Sequence, residues 1–435
     1  MYLKKIKIKN FKTFLDTEIE LSKFCVLIGA NASGKSNFIS ALRFLRDIVE
    51  TNLEDAISFQ GGIEFISNLR ATDVKPLTIG ITVDSSDNPI EFRYKNAKSA
   101  VPNRRLEFSI KEWEYELTIN ISKKNDTFKV LSEIISARGD FTEVQTLQNS
   151  KEKKVKNSNK EIKILVESGK VDYIIPDEIS WFKEESLSSQ FSQHKKGDHV
   201  PNKESYFNTS FFFMRMMPLS FTIQHFITDI TIYDIDPRQL KKSRAISGKK
   251  QLESDGSNLA IILGNLQKNR KNKEKYLQLV KDFLPFVSTF EVLPLADKSV
   301  ITSLNETYNP KKKIPASLIS DGTLNITALL IPIAFEKKTF IVIEEPERNI
   351  HPSLNYKLIE LMKDVTKRLK KQIIITTHNP EMVRNAGIEN LLLVSRNPDG
   401  FSKIDRPKDN TQIKSFLENN MGLGELYVNN LLEWK

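Results

Sequence analysis

The chemistry in this sequence begins at Gly29-Ala30-Asn31-Ala32-Ser33-Gly34-Lys35-Ser36, a G-x-x-x-x-G-K-S run followed by Asn37. This pattern binds phosphate. Gly29 and Gly34 let the backbone turn tightly, so successive N–H groups can point inward at an anion. A helix that starts here adds its partial positive charge. The candidate nucleotide contacts are Asn31, Ala32, Ser33, Gly34, Lys35, Ser36 and Asn37. Lys35 suits the β- and γ-phosphates, and the Ser36 hydroxyl suits Mg²⁺.

Three later constellations could complete such a site. Phe340-Ile341-Val342-Ile343-Glu344-Glu345 is an apolar run ending in two carboxylates. At the end of a strand beside the phosphate loop, Glu344 could hold Mg²⁺ through water and Glu345 could polarise the attacking water. A strand whose charged end simply meets solvent would read the same way. Thr376-Thr377-His378-Asn379-Pro380 follows the next apolar run. There His378 would sit over the γ-phosphate, because ligands gather at the carboxyl edge of an open α/β sheet. A surface histidine in a turn is the plainer alternative. Leu318-Ile319-Ser320-Asp321-Gly322-Thr323 precedes a helix, so Ser320 and the Gly322 backbone offer a second anion site or an ordinary helix cap.

These residues need elements to hold them. Phe24-Cys25-Val26-Leu27-Ile28 is an apolar strand leading into the loop, and Phe38, Leu42, Leu45 and Val49 give the following helix its stripe. Before them, Leu3, Ile6 and Ile8 alternate, and Glu18-Ile19-Glu20-Leu21 predicts the second arm of a hairpin. A short helix and a Gly61-Gly62 turn are expected over 51–70, then antiparallel strands over 76–137. The lysine-rich Lys151–Lys163 reads as a loop, Glu161–Ile175 as a further strand pair, and Ser180–Ser210 as a polar stretch before the apolar Phe211–Met217. Past residue 314, Thr323–Ala334 and Leu354–Leu369 predict helices, with buried parallel strands at Thr339–Ile343, Gln372–Thr376 and Leu391–Ser395. The expected division is 1–75 with the phosphate loop, 76–137 antiparallel, 138–313 a basic insertion or helical arm region returning to the head, and 314–435 the second α/β part.

The totals narrow the class. A chain of 435 residues predicts two or three units, and a hydrophobic fraction of 39% can fill real cores. The formal net charge of +10 fits a nucleic-acid partner and equally a lysine-rich soluble surface. A single cysteine, Cys25, excludes an internal disulfide framework. No apolar run approaches the roughly 20 residues of a membrane span, and no signal peptide is evident, so a cytoplasmic protein is expected. His194 and His199 flank Lys195-Lys196-Gly197-Asp198 and read as a solvated loop.

Order and spacing of the four motifs are more specific than any one of them. Together they resemble the ABC-type ATPase heads of the SMC, RecF and OLD group. The opening Ile6–Phe14, the loop Gly29–Asn37, the signature-like Ile319–Thr323, the stretch Glu344-Glu345-Pro346-Glu347-Arg348-Asn349-Ile350-His351-Pro352 and His378 carry the likeness, over about 1–70 and 225–400. It implies an α/β fold: an ABC-type P-loop ATPase head with an antiparallel β subdomain and a mixed α/β insertion. It also implies ATP and Mg²⁺ as ligands. In that group two heads meet head to tail around two ATP molecules, so Ser320 and Gly322 of one copy would face the nucleotide held by Lys35 of the other. Lys12 is carried over as a contact to base or phosphates, and Gln60 stands where a glutamine loop is sought. Glu344 departs from the usual aspartate, although glutamate is familiar in the OLD-like branch.

No long coiled coil is visible, and the tail after Asn379 is too short for a Toprim nuclease. Stand-alone ATPases that this chain resembles, in anti-phage systems such as Septu, PARIS and retron-linked cassettes, act with a separate effector. The expectation is therefore an ATP-gated homodimer that senses nucleic acid or a phage component and controls a separate nuclease or toxin. A RecF-like ATPase that binds DNA itself, or RNA, is the alternative. The basic runs at 151–163, 241–250 and 268–275 are its candidate contacts. A membrane transporter subunit is disfavoured by the N-terminal hairpin and the large insertion.

Overall fold

The computed structural model describes residues 1–68, 75–95, 104–122, 127–146, 152–167, 170–177, 218–419 and 421–432. The Ser180–Ser210 stretch, the Phe211–Met217 run and both His194 and His199 lie outside the described residues. In chain order the first elements are β1 (Tyr2–Phe11), β2 (Phe14–Glu20), β3 (Phe24–Ile28), α1 (Lys35–Glu50), α2 (Leu53–Phe59) and α3 (Ile63–Ile66). Strands β4 (Leu77–Asp84), β5 (Ile90–Lys95), β6 (Arg104–Ser122), β7 (Thr127–Thr146), β8 (Glu152–Glu167) and β9 (Lys170–Ile174) follow. Next come α4 (Pro218–Thr228), β10 (Ile230–Tyr233), α5 (Pro237–Leu240), β11 (Arg244–Ala245), α6 (Leu259–Gln267), α7 (Arg270–Phe283), β12 (Val287–Pro294), β13 (Ser299–Glu306) and β14 (Asn309–Pro315). The chain closes with α8 (Asp321–Ala334), β15 (Phe340–Glu344), α9 (Asn355–Arg368), β16 (Gln372–Thr376), α10 (Pro380–Ala386), β17 (Leu391–Arg396), β18 (Ser402–Asp405), α11 (Thr411–Glu418) and α12 (Leu423–Val428).

These elements form two compact units. One holds 1–21, 40–228 and 397–403; the other holds 22–39, 229–396 and 404–435. The first unit is built on antiparallel strands in the order β2-β1-β4-β6-β7-β8-β9, with β5 on β6. Period-two alternation sets the register: Ile6 faces Ile19 on β2 and Ile81 on β4, so one face is apolar. On the other face Lys5 pairs with Glu18 at 2.7 Å and Lys9 with Asp16 at 2.8 Å. Glu133 is a buried carboxyl that accepts from the Tyr115 hydroxyl at 2.9 Å. Burial pushes it up to about 8, against that hydrogen bond, so it packs as a neutral acid at pH 7.

One expectation is corrected here. The lysine-rich segment read as a loop is strand β8, paired antiparallel with β7. Over 152–160 its one apolar residue is Val155, too little to show alternation, while the apolar end of β8 and its partner β9 fall within the strand pair expected over Glu161–Ile175. Pairing with the long neighbour, rather than its own apolar face, makes it a strand.

The second unit carries a parallel sheet in the order β10-β15-β16-β3-β17. All five residues of β3 and of β16 are buried, as central parallel strands require. The acidic strand β15 is therefore not the neighbour of β3, as the sequence reading had it; β16 lies between them. Both β15 and β16 are short apolar runs, so composition alone does not order them. A second sheet, β11-β13-β12 with β14 on β13, stands in the same unit. Lys371 is buried and its ammonium donates to the Pro332 and Glu336 carbonyls, both at 2.8 Å. It thereby caps the end of α8, whose Pro332 interrupts the regular ladder. No helix among the described residues is long and apolar enough to cross a membrane.

Candidate nucleotide site

Because β10, β15, β16 and β3 run parallel, the segments after them open along one edge of the sheet. That edge receives Asp234 after β10, Glu345 after β15, His378 after β16 and the Gly29–Ser36 loop after β3. The loop is shaped by its glycines. A Cβ at Gly29 would lie 2.1 Å from the Val394 carbonyl oxygen of β17, and φ there is +147°. Gly34 has φ +121°, and Ala32 adopts +61°, which L residues rarely do. Helix α1 begins at Lys35, so its first N–H groups lack intrahelical partners and face the loop.

The Lys35 ammonium donates to the Gly29 carbonyl at 2.7 Å and to Ala30 at 3.0 Å, curling back over the loop. Burial pushes this amine down, and the charge of Glu345 opposes that shift. The Tyr427 hydroxyl on α12 also donates to the Gly29 carbonyl, at 3.3 Å. Asn31, Ala32 and Ser36 are exposed, Asn37 is half-buried, and Ser33 is buried.

Glu345 has a left-handed backbone, φ +45°. Such strain costs on the order of 1–3 kcal/mol and persists only where surroundings hold it. Here the Glu345 N–H donates to the Thr376 carbonyl at 3.0 Å. Its carboxylate meets His378 Nδ1 at 3.0 Å and Arg348 at 3.4 Å. Glu344, one residue earlier on the strand, is half-buried. Glu347 is buried and accepts from the Thr377 hydroxyl; burial pushes its carboxyl up, and that hydrogen bond pulls the other way.

Ser320 is the N-cap of α8. Its Oγ accepts from the Thr323 N–H at 3.3 Å and lies 2.8 Å from Thr323 Oγ1. These bonds are local, and the residue is exposed. A Cβ at Gly322 would lie 2.4 Å from the Asn349 carbonyl oxygen, so the start of α8 rests on the loop after Glu345. The Asn325 side chain donates to the Arg348 carbonyl in the same place.

Lys12 and Gln60 belong to the first unit. Lys12 has φ +48°, donates its N–H to the Ile66 carbonyl at 2.9 Å and lies over the Phe11 ring at 5.6 Å. Burial, with Arg43 nearby, pushes its amine down. Gln60 is buried at the end of α2, just before Gly61 and Gly62, both at positive φ. Sequence reasoning gave no role to Asp234, Arg348 or Tyr427. Arg348 was visible inside the Pro346-Glu347-Arg348 run; the other two carry no local signal.

The loop fits a nucleoside triphosphate: it is a cradle opening a helix, and at Gly29 it has no room for a Cβ. The Ser36 hydroxyl and the Glu344 carboxylate are hard oxygen donors of the kind Mg²⁺ takes. Among the described residues no three His, Cys, Asp or Glu side chains gather into a metal cage.

A glycine-rich phosphate loop, an acidic strand end, a histidine after the strand between them and a capped turn at Ser320, with an antiparallel unit built by the same chain, make a mixed α/β fold with a phosphate-binding loop. The chain belongs to the AAA ATPase domain family, whose description matches residues 1–383. A curated relative, chromosome segregation protein sudA of Emericella nidulans, is 34% identical over 137 residues, 30% of this chain. The chain spans about 10% of that relative's length. Among solved structures, an SMC head bound to the C-terminal winged-helix domain of ScpA is 14% identical, covers 93% of this chain and 98% of its own, and gives a TM-score of 0.47. The SMC head domain from Thermotoga maritima, also 14% identical, covers 93% and 99% with a TM-score of 0.36. An SMC head from Pyrococcus furiosus bound to the C-terminal domain of ScpA covers 97% and 100%, at 14% identity and a TM-score of 0.41.

Proposed function

We propose that this chain binds ATP with Mg²⁺, hydrolyses it slowly, and closes as a homodimer with two ATP molecules between its copies. The observation that carries this reading is the row of Lys35, His378 and Glu345 on neighbouring carboxyl ends of one parallel sheet. The backbone N–H groups from Asn31 to Ser36 hold the phosphates, and Lys35 turns from its loop carbonyls to the β/γ oxygens. Ser36 and Glu344 hold Mg²⁺, which when bound neutralises phosphate charge. Glu345 takes the proton of the attacking water, and His378 orients its carboxylate and faces the γ-phosphate. Ser320 and the Gly322 N–H serve the nucleotide of the other copy.

The shared site has a direct test. Chains carrying Lys35→Ala and chains carrying Ser320→Arg are each inactive alone. Mixed, they recover part of the ATPase rate, because one of the two pockets in a mixed dimer has every intact part. No recovery on mixing, with each variant folded, overturns the shared pocket. In this reading the dimer controls a separate effector, a nuclease or toxin, in anti-phage defence after sensing nucleic acid or a phage component. Its support is the motif resemblance, and its check is a stable partner protein co-purifying from the native cell.

A second reading, direct nucleic-acid binding, is favoured by one observation. Lys250 and Lys275, from two separate basic runs, line one groove of about 540 Å³ together with Lys337. If nucleic acid lies there, the logarithm of affinity falls with the logarithm of salt at a slope of about −3 or steeper, for three or more phosphate contacts. Lys250→Gln with Lys275→Gln flattens that slope by about 1–2. Salt-independent binding, measured by fluorescence anisotropy, excludes it.

A further inference from the structure

Arg348 has no part in the scheme above, yet its guanidinium reaches two carboxylates. Nη1 lies 2.9 Å from Asp234 Oδ1, and Nη2 lies 3.4 Å from Glu345 Oε2. With His378 Nδ1 at 3.0 Å from Glu345 Oε1, the four side chains form an unbroken line, Asp234–Arg348–Glu345–His378, across the ends of β10, β15 and β16. Each carboxylate oxygen of Glu345 thus has its own partner. A glutamate side chain has three rotatable bonds, and two contacts from opposite sides fix which way its oxygens point. Arg348 is held in turn. Its N–H donates to the Glu345 carbonyl at 2.9 Å, and the Asp234 N–H donates to Ser254 at 2.9 Å. The loop is also tied to α8 through Asn325.

We propose that Arg348 is a positioning residue for Glu345, with Asp234 as its anchor. This rests on the reading that Glu345 serves ATP hydrolysis. The pair aims the carboxylate at the attacking water; Arg348 itself touches neither water nor nucleotide. Removing Arg348 leaves Glu345 free to follow His378 alone, and removing Asp234 leaves Arg348 free to swing away.

The test is a cycle of variants followed by steady-state ATPase kinetics. Arg348→Ala lowers kcat about tenfold, the scale of one charge-assisted hydrogen bond, while KM for ATP stays within about twofold. Asp234→Asn lowers kcat about threefold, and Arg348→Lys recovers part of the loss. The double variant is no slower than Arg348→Ala, because both changes break one line of contacts. A merely structural role predicts instead losses that multiply, a KM that moves with kcat, and no rescue by lysine. An unchanged kcat in Arg348→Ala also overturns the proposal. Glu345→Gln is the separating control. If it stops hydrolysis while Arg348→Ala changes nothing, only the positioning role falls; if it hydrolyses at the wild-type rate, the assignment of Glu345 falls and takes Arg348 with it.

Discussion

Lys35→Ala removes nucleotide binding. In the wild type the ammonium rests on the Gly29 and Ala30 carbonyls, within a loop that glycine geometry has already closed. It is half-buried, and burial has lowered its hold on the proton. A triphosphate reverses that balance by placing negative charge where only carbonyl oxygens now stand. Losing a charge-assisted hydrogen bond costs up to about 3 kcal/mol. Affinity for ATP therefore falls by up to about a hundredfold. Isothermal titration with Mg²⁺-ATP reads the loss, and a thermal midpoint near that of the wild type shows that the variant is folded. Affinity within a few-fold of the wild type contradicts the phosphate role of Lys35.

Glu345→Gln gives the opposite phenotype. Glutamine keeps the size of the side chain and can still meet His378 and Arg348, but it cannot take a proton from water. General-base catalysis contributes on the order of 10²–10⁴-fold, so hydrolysis falls by that factor while ATP still binds. The bound triphosphate persists, and the closed dimer accumulates by population shift. Sedimentation with Mg²⁺-ATP then shows a dimer that outlasts dilution, and the same sample with ADP shows monomer. Turnover at the wild-type rate in this variant removes Glu345 from the chemistry.

How much of this was legible beforehand follows from the range of the interactions. The strand, loop and helix around Lys35 could be read because every requirement is local: apolar run, two glycines, lysine, apolar stripe. Helix α9 could be read from its amphipathic spacing, and α8 and the buried strands from their apolar runs, for the same reason. Strand order could not. Nothing inside Gln372–Thr376 says that it lies between β3 and β15, since pairing is decided by partners far along the chain. The lysine-rich start of strand β8 hid because a paired neighbour, not its own pattern, makes it a strand, while its apolar end within Glu161–Ile175 was legible. Arg348 and Asp234 stand more than a hundred residues apart in sequence, so their contact is invisible until β10 and β15 are paired.

The unit that holds the phosphate loop is assembled from three separate stretches of chain. Strand β3 leaves the ribosome long before both strands that flank it, β16 and β17, which lie far along the chain from it. A wholly apolar strand must therefore wait, unpaired, while the long stretch between them is made. Such long-range closure slows folding and leaves the nascent chain open to aggregation. Translation halted before residue 396 should yield a fragment dependent on chaperones and blind to nucleotide, however intact its phosphate loop is on paper.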